Sequence, residues 1–323
     1  MKAAVIFSQS GIPQYTENFS EPITTSDEQA IISVKAAAIK NLDKAKASGK
    51  HYSTESEKSQ AIIPGGDGVG LLADGTRVYA LGVTGMLAEK AVVEKNRMIK
   101  LPDGIDNATA AALPNAVAGS AMALRFSARM NGGETILING ATGFTGKLAI
   151  QIAKLYGAGK IIVTGRNESA LQALQALGAD EYLLTTLDET FVKQLKKIHQ
   201  QTPIDIVVDY LWGRTAELIL ETLKGTGAFT HRTRFVSVGS MTGDTIQLSS
   251  QILRSVNLQL SGSGLGSWTK EEMQLLLTEI IPEMFQLAAD NKLKVDTMSI
   301  PLKEIEQVWD TDISSGTRLV VEI

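Results

Sequence analysis

The sequence predicts an α/β protein, with a doubly wound parallel sheet inserted in a discontinuous β-rich domain. Three observations carry this. From Thr135 onward strand and helix patterns alternate. A glycine-rich turn joins the first of these strands to the first helix. Near the C-terminus two short strand patterns, Thr297 to Ile300 and Arg318 to Ile323, do not extend the alternation, so the chain is expected to return to its N-terminal part.

The first part, Met1 to about Asp103, reads as short strands: Lys2 to Phe7, Gln29 to Ile39, Val69 to Ala73, Thr76 to Leu81 and Ala88 to Glu94. Asp-Gly and glycine-rich breaks separate many of them, as in a barrel-like unit. Asp74-Gly75 is a hairpin signal. The polar span Ser48 to Gln60 reads as a loop holding His51 and Tyr52. Asn107 to Arg129 is alanine-rich and predicts helix, capped by Asp106 or Asn107. Pro114 is expected to end a first helix near Leu113 and let a second begin.

The later strands are expected at Thr135 to Asn139, Lys160 to Thr164, Glu181 to Leu184, Ile204 to Asp209, Arg234 to Val238 and Asn257 to Ser261. A helix is expected at Glu168 to Leu177, stopped by Gly178. Thr269-Lys270-Glu271-Glu272 reads as a capping box. It opens a helix faced by Met273, Leu276, Leu277 and Ile280, which Pro282 kinks or splits. A last helix is expected over Leu302 to Trp309.

Composition sets the function class. The 323 residues favour two domains. Hydrophobic residues make up 44% and charged residues 20%, as in a soluble globular protein, and the net charge is −4 with no strongly basic stretch, which argues against a nucleic-acid partner. The absence of cysteine removes disulfides, a thiolate nucleophile and cysteine-ligated zinc. The opening apolar run, Met1 to Phe7, is too short for a signal peptide, and no run reaches the ~18–20 apolar residues that span a bilayer. A cytoplasmic protein with a small-molecule substrate and no membrane partner is expected.

The glycine turn reads Gly140-Ala141-Thr142-Gly143-Phe144-Thr145-Gly146. A strand precedes it and an apolar helical pattern follows, the arrangement that presents backbone N–H groups to a pyrophosphate. Its glycines are three apart, a departure from G-x-G-x-x-G. Where an acid would hold the ribose 2′-OH of NAD, the end of the second strand reads Thr164-Gly165-Arg166-Asn167. A guanidinium there suits the 2′-phosphate of NADP. The plainer readings are an ordinary tight turn, a solvated Arg166 and Asn167 as a helix cap. Gly239, Ser240, Gly264 and Leu265, after the last two strands, complete the candidate cofactor-binding set.

These features, taken together, resemble the medium-chain dehydrogenase/reductase superfamily, specifically its zinc-free, quinone-oxidoreductase-like members. The resemblance covers nearly the whole chain. It rests on Ala38-Ile39-Lys40-Asn41-Leu42-Asp43, Ile63-Pro64-Gly65-Gly66-Asp67-Gly68-Val69-Gly70, Ala110-Ala111-Ala112-Leu113-Pro114, the glycine turn, Leu177-Gly178-Ala179-Asp180 and the ending Gly316 to Ile323. It implies a GroES-like catalytic domain over residues 1–115 and 266–323, and a Rossmann NADP-binding domain over 116–265. It further implies NADPH as cofactor and a homodimer. Zinc-dependent members carry Gly-His-Glu where this chain reads Gly65-Gly66-Asp67. A threonine common after the Leu-Pro segment is replaced near Gly119-Ser120, and Thr185 stands about where quinone reductases often place a tyrosine.

The expected activity is zinc-independent hydride transfer from NADPH to a quinone or an activated alkene or carbonyl. Without a metal, the accepting oxygen needs hydrogen-bond donors or solvent. Asn41, Tyr52 and Asn115 are candidates for that pocket; no dedicated catalytic acid is expected. Each has a plainer reading, as a turn residue, a loop aromatic and a helix cap. Two other readings stand beside this one. The chain resembles atypical short-chain reductases in its glycine turn, and Tyr156-Gly157-Ala158-Gly159-Lys160 matches their Tyr-x-x-x-Lys pair as a string. That pair falls too early in the fold, however, and more than a hundred residues precede the glycines. A protein that binds NADPH without turnover, as a redox sensor or a structural protein, is the other reading.

Overall fold

The computed structural model describes residues 1–7, 11–49, 61–227, 231–311, 313 and 315–323. Tyr52 and His51 lie outside the described residues. The chain divides into two compact units, Met1–Asn115 with Leu277–Ile323, and Ala116–Leu276.

The first unit opens with β1 (Ala3–Val5) and β2 (Gln14–Thr16), an antiparallel pair. Strand β1 is shorter than the expected Lys2 to Phe7, and β2 was not expected. Next come β3 (Gln29–Ala38), α1 (Asn41–Ala47), β4 (Asp67–Leu71), β5 (Arg77–Gly82), β6 (Lys90–Lys100) and α2 (Asn107–Val117). Strands β3 to β6 pair in sequence, and β3 also pairs with β6, so the sheet closes on itself. The Asp74-Gly75 hairpin forms as expected: Gly75 has φ +82°, and Asp74 Oδ1 accepts from Thr76 N at 2.9 Å.

Helix α2 runs through Pro114 to Val117, and a π-wound stretch, Ala118–Ser127, follows directly. The expected break at Leu113 does not occur. Proline removes one N–H and crowds the preceding turn. The crowded group is the backbone carbonyl four residues back, a local cost that can be absorbed by bending within a continuing helix and does not by itself end it.

The second unit continues with β7 (Thr135–Asn139), α3 (Phe144–Leu155), β8 (Lys160–Gly165), α4 (Glu168–Ala173, extended by a 3₁₀ turn to Leu177) and β9 (Glu181–Leu184). Then follow α5 (Asp188–Gln201), β10 (Ile206–Asp209), α6 (Gly213–Thr222), β11 (Thr233–Ser237), α7 (Ser250–Ser255), β12 (Leu258–Gly262) and α8 (Lys270–Leu275). The six strands are parallel, in the order β12-β11-β10-β7-β8-β9. This is the doubly wound Rossmann order, and the chain reverses direction across the sheet between β7 and β10. Leu137, Ile162, Val207 and Phe235 of the sheet pack with Phe191, Leu195 and Ile219 of the helices in one core. The capping box forms: Thr269 Oγ1 accepts from Glu272 N at 3.1 Å, and Glu272 Oε2 from Thr269 N at 2.9 Å.

After α8 a π-wound turn, Leu276–Ile280, leads without interruption to α9 (Ile281–Ala289), with Pro282 in its first turn, so the expected split does not occur and the winding changes from π to α at the proline. The last elements are β13 (Thr297–Pro301), α10 (Ile305–Val308) and β14 (Arg318–Glu322). Strand β14 pairs with β3 and β13, which brings the C-terminus back into the first sheet. Trp309, 2% exposed, is the largest fully buried side chain of that unit's core.

Candidate functional site

In the second unit, the ends of β7 and β10 flank the crevice where doubly wound sheets bind ligands. The glycine turn after β7 forms one rim. Gly140 has φ +85°, which a side-chain-bearing residue rarely adopts. A Cβ on Gly146 would lie 2.6 Å from Ala141 Cα, so that glycine lets α3 pack against the turn. Gly143 differs. It caps α3 with ordinary backbone angles and no side-chain cap, and a Cβ there would meet nothing nearer than 3.8 Å. The twelve-residue helix α3 thus starts without a capping side chain at a point where the backbone is uncovered, which fits the pyrophosphate of a dinucleotide.

The second strand sets the next group. Thr164 is buried at the end of β8, and Ala141 N donates to its carbonyl at 3.0 Å. A Cβ on Gly165 would meet Thr142 Cγ2 at 3.0 Å. Arg166 follows, exposed, and no described residue pairs with its guanidinium. Asn167 caps α4, its Oδ1 accepting from Ala170 N at 3.0 Å and from Ser169 Oγ at 2.8 Å. Thr185 lies beside this strand end: its N and Oγ1 donate to Gly165 O at 2.9 and 3.2 Å. Gly239 N donates to Asp209 O at 3.2 Å, and Ser240 is exposed. Gly264 closes a turn with Ser267, whose Oγ accepts from Gly264 N at 2.9 Å, and Leu265 is exposed. Trp268 Nε1 donates to Ser263 Oγ at 3.0 Å.

The rim after β10 is Tyr210-Leu211-Trp212-Gly213. Trp212 has φ +57° and ψ −154°, a conformation that costs about 1–3 kcal/mol for a residue with a side chain. It is held from several sides. Asp209 accepts from Leu211 N and Trp212 N, Thr242 Oγ1 donates to Leu211 O and Trp212 O, each at 3.0 Å, and the indole meets Phe235 edge-on at 6.2 Å. Tyr210 OH lies 3.0 Å from Ser120 Oγ on the π-wound stretch. Burial pushes the Tyr210 phenol well up, so it stays protonated. Asp209 is wholly buried, and burial raises its pKa against the three donors that favour the anion. The sequence reading missed Asn139, Asp209 and this rim. The available signal was a polar residue ending two otherwise apolar strands.

The pocket candidates lie in the first unit. Asn41 is exposed at the first position of α1, and Asn115 is half-buried in α2. They stand on separate helices. A cluster the sequence reading did not single out lies behind Asn41. Lys40 is 2% exposed, and its ammonium pairs with Asp67 and, at 3.4 Å, with Asp43. Tyr79 OH donates to Asp67 Oδ2 at 2.9 Å, and Gly66 N to Asp43 Oδ1 at 3.3 Å. Burial works against the Lys40 charge, but the two carboxylates overcome it and raise its pKa. The Gly65-Gly66-Asp67 segment therefore presents its one carboxylate to a lysine of the same chain. Among the described residues no group of three His, Cys, Asp or Glu side chains is placed to hold a metal.

The Tyr156-x-x-x-Lys160 string is no catalytic pair. Lys160 begins β8, at the end of the sheet opposite the glycine turn, and its ammonium pairs with Glu181 at 2.7 Å.

Comparison with known proteins agrees with this geometry. Residues 145–281 match the family described as zinc-binding dehydrogenase. A probable NADPH-dependent quinone reductase of Emericella nidulans is 27% identical, covering 99% of both chains. A quinone oxidoreductase of Homo sapiens is 28% identical over 85% of this chain and 83% of its own. The Escherichia coli quinone oxidoreductase, solved in complex with NADPH, shares the fold with a TM-score of 0.83 at 22% identity, covering both chains fully. The chain is thus similar over most of its length to quinone oxidoreductases, in keeping with the resemblance to the medium-chain dehydrogenase/reductase superfamily that its motifs carry.

Proposed function

We propose that this chain is an NADPH-dependent reductase that passes hydride to a quinone or an activated alkene or carbonyl without zinc. The observation that carries it is the glycine turn at the β7/β10 crevice with Arg166, not an acid, ending the second strand. A relative described as a probable NADPH-dependent quinone reductase supports the same reading. NADPH supplies the hydride when bound; the chain's residues hold the pyrophosphate at Gly140 to Gly146 and the 2′-phosphate at Arg166. Asn41 and Asn115 are the proposed donors toward the accepting oxygen. Zinc independence is supported by the lack of cysteine and by the engagement of Asp43 and Asp67 with Lys40. A cytoplasmic location is part of the proposal; among the described residues no helix is long and apolar enough to cross a membrane.

The test is steady-state NADPH oxidation against a panel of quinones, enones and aldehydes, before and after chelation, with elemental analysis of the protein. Turnover that survives chelation, without stoichiometric zinc, is expected. NADPH binding without turnover of any acceptor would leave a binder, and zinc-dependent turnover would defeat the metal-free reading.

A further inference from the structure

The strand register places Thr164, Asn139 and Asp209 side by side at the C-terminal ends of β8, β7 and β10. All three are fully buried in a parallel sheet whose other central positions are aliphatic. Buried polar groups are tolerated only when hydrogen-bonded, so what these three bond to reveals their use.

The bonds form one chain. Gly140 N donates to Thr164 Oγ1 at 3.2 Å, and Thr164 Oγ1 donates to Asn139 Oδ1 at 2.6 Å. Asn139 Nδ2 donates to Asp209 Oδ1 at 2.7 Å. That carboxylate also accepts from Leu211 N at 3.0 Å and Trp212 N at 3.1 Å. The path then returns to its start, because Leu211's side chain lies 2.8 Å from where a Gly140 Cβ would be. Asp209 has no cationic partner among the described residues. Backbone N–H groups of Leu211 and Trp212, just before helix α6, and the Asn139 amide solvate its charge.

We propose that Asn139 couples the two rims of the crevice, so that the Gly140 turn and the Leu211–Gly213 turn are set by one buried polar row and together position the dinucleotide. Thr164, Asn139 and Asp209 are positioning residues in this scheme, since their bonds reach the turns and not the ligand. The dinucleotide rests on the function proposed above; the coupling between the rims does not. A glycine motif left intact is then insufficient for full affinity, because its first turn takes its position from the strands on either side of β7.

The experiment compares wild type with Thr164→Val, which deletes the bridging hydroxyl while keeping a β-branched side chain, and Thr164→Ser, which keeps the hydroxyl. Backbone amide exchange at Gly140, Leu211 and Trp212 is followed without cofactor, and dissociation constants for NADPH and NADH are measured separately. Thr164→Val is expected to speed exchange at all three amides and to raise both constants by about tenfold, the worth of one buried hydrogen bond, with their ratio unchanged. KM for the cofactor rises while kcat holds, and Thr164→Ser restores wild-type values. Asn139→Ala is the second variant, read the same way should the first be poorly folded. Faster exchange at Gly140 alone, with Leu211 and Trp212 as in wild type, would overturn the coupling. Wild type failing to bind NADPH would instead defeat the functional proposal, with amide exchange still deciding this one.

Discussion

Arg166 stands exposed at the end of β8, next to a helix cap and beside Thr185. A guanidinium there attracts the 2′-phosphate of NADPH and has nothing comparable to grip on NADH. Arg166→Ala should raise the NADPH dissociation constant by about one to two powers of ten and leave NADH nearly unchanged, at low salt. Arg166→Asp should swing preference toward NADH, by repelling the phosphate and accepting from the 2′-OH. Titration of both cofactors checks this, and equal weakening of the two by Arg166→Ala would show that the residue supports the loop instead. The place of Arg166 at the end of β8 was legible in the sequence because it depends on a short local pattern of strand, glycine and turn. Asn139 and Asp209 were not, because their partnership depends on register between strands 70 residues apart. Lys40 was hidden for the same reason: its counter-charge Asp67 is 27 residues away, and nothing local distinguishes Lys40 from a surface lysine.

At the scale of the element, the glycine turn separates two jobs that one motif conceals. Gly146→Ala drives a Cβ into Ala141, with backbone atoms at 2.6 and 2.7 Å. It should destabilise the second unit by about 1–3 kcal/mol, the usual range for overpacking, as read in urea unfolding. Gly143→Ala meets no protein atom nearer than 3.8 Å and keeps allowed angles, so its stability should stay within about 1 kcal/mol of wild type. Its methyl group would face the phosphates, and NADPH and NADH should weaken alike. A Gly143→Ala protein with unchanged affinity for both would move the pyrophosphate elsewhere. Most elements were legible from periodicity and glycine breaks. Helix α1 was not, since Asn41 to Ala47 has no apolar stripe and is anchored by the buried side chains of Lys40 and Asp43. Pro114 misled because a proline inside a helix costs one hydrogen bond and crowds a backbone carbonyl, which can bend a helix without ending it.

For the whole molecule, the two edges of the parallel sheet are unequal. Strand β9 carries Glu181, paired with Lys160, a charge that discourages strand addition. Strand β12, Leu258–Gly262, has no charged residue. A second copy can therefore extend the sheet antiparallel across a two-fold axis at β12. We predict a homodimer through that edge; light scattering at micromolar concentration should give twice the monomer mass, and a monomer would count against it. The return of the chain to its first sheet was legible because the two late strands, with one short helix between them, do not extend the earlier alternation. The identity of the hydride acceptor was not, since Asn41 and Asn115 are common residue types that stand on separate helices.

The three tryptophans are distributed usefully. Trp309 is sealed in the core of the first unit, whereas Trp212 and Trp268 are half-buried in the second, one on a crevice rim and one tied to the strand end after β12. The chain thus carries its own optical labels. Light emitted by Trp309 comes from an apolar, quencher-proof setting and follows the melting of the first unit. Emission from Trp212 tracks the strained rim, and so reports on the crevice without any dye attached.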